Sequence, residues 1–161
     1  MVGGSLSVLL DVGGNVLARH GSVIVQVRTG ALSHEVFGAL VANVRRLTPH
    51  KPGPIGMLAV IEADAEVVET EVRARQKDFV TRLLERPEVR MAVVVVGDDV
   101  AASMRRTMAR MLVPSNERLR ACGDVEEGCA FVGPHAGVPT AALVESVTEA
   151  RAVAARSWAK R

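Results

Sequence analysis

"MAVVVVGDDVAASMRRTMARMLVP", Met91 to Pro114, decides the fold. Met91 to Val96 is apolar throughout and shows no alternation, which is how a parallel strand covered by helices on both faces reads. Gly97-Asp98-Asp99 is turn chemistry, and either aspartate suits the cap of a helix running from Val100 to Val113. A strand buried on both faces and followed at once by a helix is half of a β-α-β unit, so the chain reads as α/β.

The same grammar repeats outward. Ile55 to Glu62 reads as a second buried strand, parallel to and beside Met91 to Val96. From Asp64 to Arg86 the residues Val68, Val72, Phe79, Val80 and Leu83 share one helical face. On the outer face Glu69/Arg73, Glu71/Arg75 and Asp78/Arg82 are i,i+4 pairs. Ser33 suits the cap of an earlier helix with Phe37, Leu40, Val41, Val44 and Leu47 inward. Ser5 to Val12 and Ser22 to Arg28 read as antiparallel strands, and the turns "DVGGN" and "RHGS" bracket a third short apolar piece, Val16 to Ala18. Leu119 to Cys122 is a short strand. Asp124 and Glu127 have capping-box spacing, Val125, Cys129 and Val132 face inward, and Gly133 is a natural stop. A last helix runs from about Thr140 to Trp158.

This order predicts one α/β domain over residues 1–161. Its mixed sheet of about five strands is antiparallel at the N-terminal side, with right-handed β-α-β crossovers and an extra C-terminal helix. The order and spacing from Ser22 to Gly133, closing on "RLRACGDVEEGCAFV", resemble the STAS family (sulphate transporter and anti-sigma factor antagonist domains) and the related small bacterial STAS/SEC14-like proteins. The resemblance implies a core over about 22–133 and a non-enzymatic regulatory module acting through a protein partner. Its SEC14-like side implies a binder of a small apolar or lipid-like ligand instead. One departure stands out. The antagonist branch carries Asp-Ser-Ser or Asp-Thr-Ser after its third strand, whereas "VIEADAEVVETEV" offers Glu62, Asp64 and Glu66 but no serine, so no phosphorylation switch is expected.

Composition narrows the partners. With 20 basic and 18 acidic residues the net charge is +2, too small for a field that gathers nucleic acid or an anionic membrane. Phe37, Phe79, Phe131 and Trp158 are the whole aromatic complement, little material for stacking bases. No basic n-region precedes the apolar run Leu6 to Leu10, which Asp11 cuts short; neither signal peptide nor membrane span is read there, and a cytoplasmic protein is expected. Cys122 and Cys129 fit no zinc or redox spacing and read as reduced, packed thiols.

In open α/β sheets ligands bind beyond the carboxyl ends of the strands, where Thr29, Glu62, Asp64, Asp98, Asp99 and Asp124 arrive. The aspartates are expected to be helix caps, which speaks against both a Mg²⁺ site and a phosphate at those helix ends. Gly3, Gly4, Gly13 and Gly14 lack phosphate-loop spacing. No metal or cofactor is expected, and an enzyme built on the strand-end acids is the third alternative. His20, His34, His50 and His135 are expected to be exposed, without metal-ligand spacing.

Two helices supply the remaining candidates. Val100, Met104, Met108 and Met111 form a stripe expected to face the core, although methionine also suits an adaptable ligand pocket. Opposite, Ser103, Arg106 and Arg110 present like charges with no acid on the helix, which predicts an acidic protein partner. Leu143, Val147, Ala150, Ala154 and Trp158 line the last helix, either against their own domain or across a homodimer.

Overall fold

Two tight turns turn the expected five strands into six. Gly13 and Gly14, at φ 55° and 84°, join β1 (Ser7–Val12) to β2 (Asn15–His20), and Gly21-Ser22 joins β2 to β3 (Val23–Arg28). Two-residue hairpin loops need this left-handed backbone, which glycine supplies without steric cost. The piece Val16 to Ala18 is therefore the middle of a full strand. The computed structural model describes residues 5–48 and 53–160, so His50, Gly3 and Gly4 lie outside the described residues.

After β3 come α1 (His34–Leu47), β4 (Ile55–Ile61), α2 (Thr70–Leu84), β5 (Val89–Val95), α3 (Val100–Arg110), β6 (Leu119–Cys122), α4 (Val125–Val132) and α5 (Thr140–Ala159). The sheet order is β1-β2-β3-β4-β5-β6, antiparallel as far as β3 and parallel from there. Ile55 to Ile61 and the valine run are neighbours in parallel register, as expected, with Leu58 beside Ala92. Because the strands advance in one direction across the sheet, crossovers of one hand place α1, α2 and α3 on the same face. Their apolar residues form one cluster with that face, and α4 and α5 form another with the opposite face.

The α4/α5 face is closed. Leu143, Val147, Ala150 and Ala154 of α5, which lies over β1, β2 and β3, are all 0% exposed, and α4 covers β4 and β5, so that Val25, Val27, Leu58 and Val94 are buried in the same cluster. A Cβ on Gly128 would lie 2.6 Å from Val94 Cγ2 and 2.8 Å from Leu58 Cδ1, so α4 sits on the sheet at glycine distance. The end of α5 is tied down as well: Ser157 Oγ accepts from the Gly14 amide at 3.1 Å, and the Trp158 ring lies against Gly14 and Gly30. Four of the five residues of the final-helix stripe are thus buried within their own domain, and Trp158 is half-buried. His20, expected to be exposed, is buried under α5, its Nδ1 2.5 Å from Ser146 Oγ. Among the described residues no helix is long and apolar enough to cross a membrane.

Three expected caps form. Ser33 accepts from the Val36 amide at 3.1 Å, Asp99 from Ala102 at 2.8 Å and Asp124 from Glu127 at 2.8 Å. Asp64 does not cap α2, which starts six residues later at Thr70, with Glu69 at its N-cap making no side-chain bond. Of the three ion pairs expected on α2 only Asp78–Arg82 forms, at 3.2 Å. Arg73 turns back to the Val68 carbonyl, while Glu71 and Arg75 both reach His34 on α1.

Candidate functional site

The other face of the sheet is open. On β4 the half-buried positions Ile55, Ala59 and Ile61 alternate with buried ones, and all three point toward α1, α2 and α3. Above them lies a cavity of about 570 Å³. Met57, Ala59, Met91 and Val93 form its floor, and Phe37, Leu40, Phe79, Val80, Met104 and Met108 its walls. A volume of this size, with mainly apolar walls and a few polar groups, is what small-molecule sites have.

Its construction follows from how the three helices are held. α1 and α2 meet at their outer edges: His34 Nδ1 is 2.9 Å from Arg75 Nη1, His34 Nε2 3.3 Å from Glu71, and the Phe37 and Phe79 rings stack edge to face with centroids 6.1 Å apart. That clasp spans the space above the sheet. α3 is turned opposite to expectation. Ala102 and Ala109 are its buried residues, whereas Met104 is 61% and Met108 41% exposed, with Val100 and Met111 exposed beside them. Small residues let α3 approach β5 and β6 closely, so the large residues lie at the cavity's edge and in solvent instead of in the core.

The arginine face is corrected in the same way. Arg106 donates to the carbonyls of Val95 and Gly97 at 3.0 and 2.9 Å, closing the end of β5, and does not stand as an unanswered charge beside Arg110. Ser103 and Arg110 are exposed, and what is left is one free-standing arginine rather than a paired surface. Asp98 is exposed, Asp99 is the cap of α3, and the two build no site with Glu62. Instead Glu62 holds Arg151 of α5 with both carboxylate oxygens, to Nε and, at 3.0 Å, to Nη2; this bond raises the Arg151 pKa. Among the described residues no three His, Cys, Asp or Glu side chains gather as metal ligands would.

The polar end of the cavity escaped the sequence reading. Gln26 and Arg28 follow Ile24 on the β3 face that α1, α2 and α3 cover, and Arg28 is only 6% exposed. Arg28 Nη1 donates to the Glu66 carbonyl at 2.7 Å, and Arg105 of α3 donates to the Ala65 carbonyl at 2.6 Å. With Arg73 on the Val68 carbonyl, three guanidinium groups are therefore docked on one loop, at the end of a mainly apolar chamber. The signal was present in "VIVQVR": in a strand of period two, Gln26 and Arg28 share a side with Ile24 and cannot both point away from the covering helices.

Compared with known protein families, curated proteins and solved structures, the chain matches none.

Proposed function

We propose that this protein is a non-enzymatic binding module that holds a small apolar or lipid-like ligand between its sheet and α1, α2 and α3. The single observation that carries the reading is the mainly apolar 570 Å³ cavity on one face of strands whose opposite face is almost completely buried. The exposed Met104 and Met108 support an entrance there, since methionine adapts its shape to what it touches. The acids on which an enzyme would rest are occupied elsewhere, Glu62 by Arg151, and Asp99 and Asp124 by helix amides.

Each methylene taken from water contributes about 0.8 kcal/mol, roughly fourfold in affinity. Straight-chain alcohols from hexanol to dodecanol should therefore bind progressively tighter, by about that factor per carbon, until the chamber is full. Ala59→Phe, which fills the floor, should bring the plateau to shorter chains. Calorimetric titration reads both effects. Failure of every alcohol to bind saturably would exclude the ligand reading.

A second reading, a module acting through a protein partner, is favoured by one observation: Val67, Val100, Met104 and Met111 are all more than half exposed along one edge. Met104→Lys with Met111→Lys should then weaken partner capture and leave the fold intact. Unchanged capture of the same partner would count against it.

A further inference from the structure

We infer that Arg28, assisted by Arg105, holds the carboxylate of a single-chain amphiphile, a fatty acid in the simplest case, whose tail fills the cavity. The inference rests on the cavity reading above and adds the ligand's head group. Arg28 stands at 6% exposure in the wall of a mainly apolar chamber, whose other polar lining residues are Gln26, Glu66, Arg73, Gln76 and Arg105. A buried charge is retained at a cost unless it is paired and hydrogen-bonded. Among the described residues the ion pairs are His34–Glu71, Asp78–Arg82, Glu88–Arg86 and Glu62–Arg151, and neither Arg28 nor Arg105 belongs to one.

Among the described residues the Arg28 guanidinium donates one hydrogen bond, to the Glu66 carbonyl, out of the five donors it carries. Glu66 lies in the same wall and meets Arg28 through its backbone carbonyl. Burial, and then the like charge of Arg105, pulls the Arg28 pKa down to about 10, so the site still holds a full positive charge at neutral pH. An anion placed there relieves both penalties at once. The planar guanidinium fork matches a carboxylate through two parallel N–H···O bonds, while the mainly apolar walls of the chamber suit a hydrocarbon tail.

The test compares dodecanoate, dodecanol and acetate by calorimetry, on the parent protein and on Arg28→Gln. Dodecanoate should bind the parent about tenfold tighter than dodecanol, or more, the difference expected for a hydrogen bond to a charged group. Acetate, the head without a tail, should show no saturable binding. Arg28→Gln keeps a donor for the Glu66 carbonyl and should abolish the preference for dodecanoate over dodecanol. Equal binding of dodecanoate and dodecanol by the parent overturns the head-group assignment and leaves the cavity reading standing. Absence of binding by both overturns the cavity reading itself. Tight binding of acetate would show a simple anion site in place of an amphiphile's. The parent comparison decides the question even where the variant fails to fold.

Discussion

The two faces of one sheet are built by different rules. On the α4/α5 side, Ala150, Ala154 and Gly128 bring backbone against strand, and Val25, Val27, Leu58 and Val94 are covered completely. On the other side the same strands offer Gln26, Arg28, Met57 and Ala59 to a cavity, and the covering helices touch each other through a rim of His34, Arg75, Phe37 and Phe79. Interiors are normally packed as densely as organic crystals, so leaving one face unfilled costs stability that the closed face must offset. The contrast teaches where to look for each role: stability in α4 and α5, binding under α1, α2 and α3.

Substitutions on the closed face should break the contrast most violently. Ala150→Arg with Ala154→Arg places two unpaired cations where exposure is zero, and a loss beyond about 4 kcal/mol is expected, enough to leave no folded soluble protein. Light scattering and circular dichroism read this. A folded protein of lower mass would instead restore the stripe as a dimer surface. A gentler form of the same comparison pairs Leu143→Ala with Met104→Ala. Leu143 is 0% exposed and should lose about 3 kcal/mol in denaturant unfolding. Met104, 61% exposed, should change by no more than about 0.5 kcal/mol yet weaken the binding of long chains. Equal losses at the two sites would erase the distinction between the faces.

The smallest effect is a pH effect confined to the closed face. Burial pushes the Cys122 thiol up to about 11 and that of Cys129 to about 12. An unfolded thiol ionises near about 8.5. Above that pH the unfolded chain releases protons that the folded one keeps, so stability falls as pH rises toward the folded values and is unaffected by these groups below it. Alkylation near neutral pH should accordingly be slow in the native protein and rapid once denaturant is added. Quick native alkylation of Cys129 would mean that α4 opens.

The elements of both faces were legible in the sequence; the cavity on the open one was not. The unalternating run Met91 to Val96, the caps Asp99 and Asp124, and the stripe of the last helix each depend on a local pattern that one fold satisfies. β2 was seen only as Val16 to Ala18, because Asn15, Arg19 and His20 are polar and its pairing is set by glycine turns on both sides. The orientation of α3 was misread for a different reason. Periodicity identifies a stripe of large apolar residues but does not weigh it against a stripe of alanines, and close approach to β5 and β6 selected Ala102 and Ala109. Arg106 was beyond reach, since its acceptors, the carbonyls of Val95 and Gly97, are supplied by the tertiary fold. Arg28 was within reach through strand alternation alone.

Methyl resonances test the central claim most directly. In protein labelled at methionine and alanine methyls, titration with dodecanoate should shift Met57, Met91, Met104 and Met108, which line the cavity, together with Ala59 on its floor. Met111, outside the lining, and Ala150 and Ala154, on the closed face, should stay where they are. If Met57 and Met91 do not move at saturating dodecanoate, or if Ala150 and Ala154 move with them, the assignment of binding to one face of the sheet is wrong.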